Sequence, residues 1–197
     1  MDYRTIYDAP RTPEMHHLRP APYIVIDMAV AAGSLGLWNA LQVLERLSDM
    51  IKTDHLEDAR DDLYPLEGVW EVIDSEALDF EERIQPGKIM MCQPDDLTSA
   101  QFEEQKRRLA QTADESQRAY LEAARLVIVD DGVCVHMRHI GPYGDEPASF
   151  AILERYLRDH GLRRTSERTH REIYLVDVRT AQPEAYETVL RVQVEAV

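Results

Sequence analysis

A carboxylate interrupts an apolar, strand-like run at His170-Arg171-Glu172-Ile173-Tyr174-Leu175-Val176. Side chains two residues apart share one face of a strand, so His170, Glu172 and Tyr174 are predicted to point the same way. Because an unpaired buried charge is costly, an acid beside a phenol indicates either a solvent-exposed face or a polar cavity in which the acid has a partner. This run alone leaves both interpretations open.

A second stretch, Tyr64-Pro65-Leu66-Glu67-Gly68-Val69-Trp70, also combines a carboxylate with aromatic residues. The elements around the two stretches are predicted in the same order, which favours a duplicated strand-helix-strand-strand module. The first copy, about residues 23–93, is predicted to contain strands Tyr23–Val30, Leu63–Ile73 and Lys88–Gln93 and helix Leu37–Ile51. The second copy, about residues 125–195, is predicted to contain strands Val133–Ile140, His170–Asp177 and Tyr186–Val194 and helix Glu146–His160.

The segment between the copies, Thr98 to about Ala123, is polar and predicts a linking helix or helix pair with Thr98 as its N-cap. Strand Arg125–Val129 is expected to form a hairpin with Val133–Ile140, because the intervening Asp130-Asp131-Gly132 suits a tight turn. Antiparallel strands with helices on one face predict a single α+β domain over residues 1–197. The concave side of its curved sheet, between the two halves, is where a ligand pocket is expected.

The ends and connectors are less regular. Four prolines between positions 10 and 22 predict an extended N-terminal arm that wraps over the body. The acidic stretches Asp54–Asp62 and Asp74–Gln85 predict solvated connectors. The N-terminus has no apolar signal region and no run of 18 apolar residues occurs, so a cytoplasmic location without a membrane anchor is expected.

Composition narrows the function. The chain has 197 residues, 44% of them hydrophobic, which suffices for a sizeable core. With 37 acidic and 22 basic residues, its net charge of −15 disfavours nucleic-acid and acidic membrane partners. Cys92 and Cys134 lie in separate apolar strands and are predicted to be small core residues. His136 and His139 would face opposite sides of a strand, so they cannot chelate one metal. No metal site and no cofactor is predicted.

Several segments, in order, resemble the stand-alone GyrI-like small-molecule-binding proteins. The opening Asp2-Tyr3-Arg4 and the closing Thr188-Val189-Leu190-Arg191 extend this likeness over nearly the whole chain. The resemblance implies a pocket between two halves, as in the effector domains of multidrug-sensing regulators, where a carboxylate on the strand matching Glu172 contacts cationic drugs. The internal segments are Pro65-Leu66-Glu67-Gly68-Val69-Trp70, Gln93-Pro94-Asp95, His139-Ile140-Gly141-Pro142-Tyr143-Gly144-Asp145-Glu146-Pro147 and Glu172-Ile173-Tyr174-Leu175-Val176-Asp177.

Some stand-alone members of this family are hydrolases that open cyclopropane-bearing electrophilic toxins. By that resemblance, Glu172 or Glu67 would deprotonate a water, and Tyr143 or Tyr174 would donate to the developing oxyanion. A site that only binds would use Glu172 to neutralise a cationic ligand and its aromatic residues for cation–π contacts. The residues serve both readings, so binding and turnover stay open.

Trp70 would stack on a planar ligand in either case. Strict alternation places it on the face opposite Glu67, so both can line one cavity only if Gly68 marks a bulge. Tyr143 lies in a loop that can close over a pocket. Glu146 lies in the first turn of a predicted helix, where the helix dipole favours an acid, so a structural role and a ligand-binding role both stay open.

The sequence therefore predicts a binding protein for small hydrophobic or cationic ligands, of the multidrug-binding type, with a detoxifying hydrolase as an open enzymatic alternative. A second hypothesis is a protein-interaction module, since the wider superfamily includes an inhibitor of DNA gyrase. Acids such as Asp54, Glu57 and Asp58 could then approach a basic, DNA-binding partner. A homodimer is left open.

Overall fold

The computed structural model describes residues 7–28, 34–55, 64–72 and 84–197. These residues form an α+β fold, as predicted. The strands are β1 (Glu14–Leu18), β2 (Ala21–Asp27), β3 (Leu66–Val72), β4 (Ile84–Cys92), β5 (Arg125–Val129), β6 (Gly132–Ile140), β7 (Leu162–Arg164), β8 (Thr169–Tyr174) and β9 (Glu187–Ala196). The helices are α1 (Leu35–His55), α2 (Ser99–Ala110), α3 (Glu115–Ala123) and α4 (Glu146–Asp159), with short 3-10 turns at Tyr143–Asp145 and Pro183–Ala185.

The chain divides into two compact units. The first comprises residues 1–19, 67–84 and 130–197, and the second comprises residues 20–66 and 85–129. In the first unit, strands lie in the order β1-β6-β9-β8-β3, and β7 also pairs with β9. Its core joins α4 to β6 and β9 through Val135, Met137, Leu153, Leu157, Val192 and Val194.

The second unit has the strand order β4-β2-β5 and helices α1, α2 and α3. Its core places the apolar face of α1 against strand β2, with Leu44, Leu47, Ile24 and Ile26 almost completely buried. Thr98 begins α2 with the predicted cap, since its hydroxyl accepts from the Gln101 backbone N–H and the Gln101 side chain accepts from the Thr98 N–H.

Every helix and strand predicted for the two copies is present, with ends shifted by a few residues. The predicted ends at Val30, Leu63 and Ile73 lie outside the described residues. The strand pairs of established register are all antiparallel. Cys92 and Cys134 are free and fully buried, as predicted. The duplication itself stays a prediction.

The predicted hairpin of Arg125–Val129 with Val133–Ile140 is wrong. Gly132 has the positive φ of 52° that a tight turn requires, and the Asp130 side chain accepts its N–H. However, β5 pairs with β2, whereas β6 pairs with β1 and β9. Local turn chemistry favours a reversal but does not select the partner strands, and β6 is paired along both edges, with β1 and with β9.

The N-terminal arm also differs from expectation, because part of it is a strand of the sheet. Residues 14–19 contain no proline, so β1 can use its backbone groups in the ladder to β6. Most of the two predicted connectors, including Glu57 and Asp58, lies outside the described residues, and Asp54 is ion-paired with Arg108. None of the described helices has the length and apolar composition needed to cross a membrane.

Candidate functional site

Strand β8 alternates as the sequence predicts, and Glu172 is buried with partners. Only 4% of Glu172 is exposed. Its Oε2 accepts a hydrogen bond of 2.8 Å from the Tyr174 hydroxyl, and its Oε1 lies 2.8 Å from Nε2 of His170. The solvent-exposed alternative for this face is therefore excluded. His170 and Glu172 are close enough for a direct hydrogen bond.

Trp70 extends this set of hydrogen bonds from the neighbouring strand β3. Its indole N–H donates to the Tyr174 hydroxyl oxygen over 2.7 Å. Gly68 makes room for this contact, because a Cβ atom there would lie 2.7 Å from Nε1 of Trp70 and 3.3 Å from the Tyr174 oxygen. The Trp70 indole thus donates to the Tyr174 hydroxyl, which in turn donates to Glu172. These two hydrogen bonds fix the orientation of the Glu172 carboxylate.

Glu146 reaches the same carboxylate from the first turn of α4. The helix begins here with Pro147, whose missing N–H is not needed in a first turn. Glu146 is 3% exposed and is hydrogen-bonded to Glu172. Burial, followed by the charge of Glu172, raises the pKa of Glu146 to about 9. The raised pKa favours the protonated form of Glu146 at neutral pH.

One oxygen of Glu146 remains without a partner. Oε1 is buried and makes no hydrogen bond to any part of the chain that the structure describes. A buried carboxyl oxygen without a partner is unfavourable, so this atom is a natural contact for a water or a ligand group. Glu146 therefore has an oxygen that can contact a ligand, in addition to its structural position in the first turn of α4.

Aromatic rings border the two acids. Tyr143 is 38% exposed, and its ring meets that of Tyr174 edge-on at 6.1 Å between centroids and that of Tyr186 at 5.3 Å. Burial and the charge of Glu172 raise the pKa of the Tyr143 hydroxyl, which stays a donor. On the other side, the ring of Phe150 packs edge-on against His170 at 4.8 Å.

Two of these aromatic residues, Tyr186 and Phe150, were not predicted from the sequence. Tyr186 precedes β9 and Phe150 lies on α4, and neither has a local pattern that marks a site. Their positions depend on which strands and helices neighbour β8. Only the tertiary structure supplies that information.

Glu67 lies apart from these residues. It is fully buried and accepts a hydrogen bond of 2.9 Å from the Tyr7 hydroxyl. Its other carboxylate oxygen lies 3.2 Å from the Arg171 guanidinium. Arg171 alternates with Glu172 on β8 and points to the opposite face. Gly68 therefore does not produce the bulge that would bring Glu67 and Trp70 into one cavity, and strict alternation holds. The predicted shared cavity is corrected accordingly.

The face with Glu67 carries a buried ionic network. Arg171 is directly opposite Arg191 in register, and both contact Oδ2 of Asp131, at 2.6 and 3.3 Å. Burial raises the pKa of Glu67, and the guanidinium groups of Arg171 and Arg191 oppose that rise. Because every charge here has an opposite partner, the network is best explained as a structural feature.

The structure thus brings together most of the residues selected from the sequence, and we refer to this group as the Glu172 site. Its described side chains offer a buried carboxylate, a neutral acid, phenol donors and aromatic surfaces. They supply the donors and acceptors that proton transfer requires. The members of the Glu172 site are Glu172, Tyr174, Trp70, Glu146 and Tyr143.

No protein-family model and no curated protein sequence matches the chain. Its structure is similar to an uncharacterized conserved protein from Listeria innocua, with 26% identity and a TM-score of 0.84 over 98% of this chain and 97% of that chain. It is also similar to a hydrolase from Listeria innocua, with 25% identity and a TM-score of 0.85 over 98% and 97% of the two chains.

A more distant likeness is to the C-terminal domain of EcmrR, with 13% identity and a TM-score of 0.56 over 94% of this chain and 98% of that chain. At this identity the likeness concerns the fold alone. These comparisons show that the chain shares its fold with these proteins over nearly its whole length.

Proposed function

We propose that this chain binds flat, hydrophobic small molecules at the Glu172 site and hydrolyses electrophilic members of that class. The observation that carries the proposal is the pair formed by Glu146 and Glu172. The two carboxyl groups are in contact, and burial together with the charge of Glu172 raises the pKa of Glu146 to about 9. Such a pair is typical of sites that use one acid and one base.

Ligand binding is supported by the aromatic side chains around this pair. Trp70 is partly buried and held in place by Tyr174, while Tyr143 is partly exposed beside Tyr186. Planar compounds gain from stacking on such rings, and a cationic ligand gains further from the Glu172 carboxylate. The unpartnered Oε1 of Glu146 offers a polar contact for orienting the ligand.

Hydrolysis assigns a separate role to each acid. As the oxygen of a water bonds to the electrophilic carbon, Glu172 takes a proton from that water. In a cyclopropane-bearing electrophile, the ring carbon–carbon bond breaks and its electron pair moves to a conjugated carbonyl oxygen, which takes the proton of Glu146. Proton transfer from Glu172 to Glu146 along their hydrogen bond then restores the starting state.

The tyrosines assist without changing this proton balance. Tyr174 orients the base, because its hydroxyl already donates to Glu172. Tyr143 donates a hydrogen bond to the developing oxyanion from the border of the site. The likeness to a hydrolase from Listeria innocua over nearly the full length of both chains adds support to the enzymatic part of the proposal.

The test is turnover of a cyclopropane-bearing electrophile by the purified chain, with substrate loss and product formation followed by mass spectrometry. We expect Glu172→Gln and Glu146→Gln each to lower the rate roughly 100-fold or more, the usual contribution of a general base or acid. Asp159→Asn is the matched control, since Asp159 is an exposed acid at the far end of the same helix.

Two results would count against the proposal. Equal turnover by the wild type and both glutamine variants would remove the acid pair from the mechanism. Saturable binding without any product would refute hydrolysis while retaining the binding function.

A further inference from the structure

Strands β1 and β6 bring together three side chains that can bind a metal ion. Glu14 lies directly opposite His136 in register, and His16 follows Glu14 by two residues, so all three share one face. Their ligand atoms lie within 4.8 Å of one another. Glu14 and His16 come from the N-terminal segment and His136 from the middle of the chain, which is why sequence spacing did not reveal the set.

His136 supplies the independent sign of a ligand. It is completely buried, yet neither ring nitrogen has a hydrogen-bond partner among residues 7–28, 34–55, 64–72 and 84–197. Its ring lies beside that of His16, with centroids 4.0 Å apart and planes tilted by 45°. Buried imidazoles normally satisfy at least one nitrogen, and a metal ion would do so here.

We propose that Glu14, His16 and His136 bind a divalent transition-metal ion of the zinc type. Two imidazoles and one carboxylate form a ligand set that suits zinc and leaves a fourth position open. The side chains of Glu14 and His16 are 57% and 28% exposed, so the ion can enter from solvent and reach His136 beneath them.

The distances are compatible with this proposal. Tetrahedral zinc with bonds of about 2.0–2.2 Å holds its ligand atoms roughly 3.4 Å apart. The distance between Nε2 of His16 and Oε2 of Glu14 is already 3.4 Å. The remaining ligand atoms lie within 4.8 Å of one another, so binding an ion requires side-chain rotations that draw them closer.

The positive charge of Arg191 acts on His136 but is offset by a neighbouring carboxylate. Arg191 lies opposite His136 in register, but its guanidinium contacts the Asp131 carboxylate at 3.3 Å. Arg191 is in turn directly opposite Arg171 in register, so His136 and Arg171 lie on the same face of the sheet. Glu172 follows Arg171 and lies on the other face, away from the metal site. Metal binding is thus separate from the proposed hydrolysis, and the two proposals succeed or fail independently.

The test is titration of the metal-free, untagged full chain with Zn²⁺ by calorimetry and with Co²⁺ by visible absorption. We expect one ion per chain and the d–d bands of four-coordinate Co²⁺. His16→Ala and Glu14→Gln should each weaken binding roughly tenfold or more, the lower end of what losing even an outer-shell partner costs. Both residues are partly exposed, so these variants should fold.

His17→Ala is the matched control, because His17 is an exposed imidazole on the other face of β1. It should bind Zn²⁺ with unchanged affinity. Zinc should also raise the melting temperature of the wild type and the His17 variant but not of His16→Ala. The proposal is overturned if no ion binds stoichiometrically, if His16→Ala binds as well as the wild type, or if His17→Ala loses binding equally.

Discussion

The carboxyl groups of Glu146 and Glu172 are in hydrogen-bond contact, and burial followed by the charge of Glu172 raises the pKa of Glu146 to about 9. The two residues come from the start of α4 and from β8, so the pair joins a helix to the sheet of the first unit. Burial keeps Glu146 protonated, and the proton removes the repulsion that two adjacent carboxylates would otherwise have. This arrangement determines how stability should depend on pH.

The free energy of unfolding should fall as pH rises from about 5 to about 9. In the unfolded chain Glu146 ionises near its ordinary value of 4.5, whereas in the folded chain its pKa is raised to about 9. Between these values the folded state holds the additional proton, so the contribution is complete below the lower value and lost toward the upper one. Glu146→Gln, which mimics the protonated acid, should flatten this dependence.

Urea denaturation at a series of pH values measures this effect. Asp159→Asn serves again as the control and should retain the slope of the wild type. An unchanged slope in Glu146→Gln would mean that the proton is not held on Glu146.

Gly68→Ala should disrupt the position of Trp70. The added Cβ would lie 2.7 Å from Nε1 of the indole, too close for the ring to stay where it donates to Tyr174. We expect an altered tryptophan fluorescence spectrum and at least a severalfold loss of affinity for a planar aromatic cation. Equilibrium binding followed by that fluorescence measures both.

Gly144→Ala is the matched control for that change. Apart from its two chain neighbours, none of the described residues has an atom within 4 Å of the position that a Cβ at Gly144 would take. Its spectrum and affinity should equal those of the wild type. If Gly68→Ala binds with wild-type affinity, the ligand does not depend on Trp70.

Glu67→Gln should lower stability without changing turnover per folded molecule. Glu67 accepts from Tyr7 and pairs with Arg171, so the change weakens a buried ionic contact and should cost about 1–3 kcal/mol of unfolding free energy. Its side chain lies on the face opposite Glu172, which separates it from the reacting groups.

Chemical denaturation and the mass-spectrometric assay, run on the same preparation, measure the two quantities. If Glu67→Gln loses turnover while it keeps the stability of the wild type, the prediction is wrong and Glu67 takes part in the reaction. Glu172→Gln provides the comparison, because it should lose turnover through a change on the other face of the same sheet.

Much of the local structure could be predicted from the sequence because it depends on neighbours along the chain. Alternation of His170, Glu172 and Tyr174 identified one face of β8, and the Thr98 cap identified the start of α2. The same rule correctly separated Glu67 from Trp70. Gly68 does not form the bulge that would have placed Glu67 and Trp70 on one face. Its missing side chain leaves room for the Trp70 indole.

The remaining features depend on pairing between distant segments. The Asp-Gly turn predicted a hairpin, but tertiary burial pairs β5 with β2 and β6 with β1. The contact of Tyr143 with Tyr186 and the grouping of His16 with His136 follow from strand order and register. No periodicity within a single segment contains this information.

The paired arginines of β8 and β9 also constrain how this protein can change over time. Arg171 and Arg191 are held side by side by Asp131, and Arg171 also pairs with Glu67. Replacing any one of these residues unbalances the two acidic and two basic side chains of the network, whereas replacing the whole set by apolar residues can be neutral. Substitutions at these four positions should therefore be strongly epistatic, with the quartet inherited or lost as a unit.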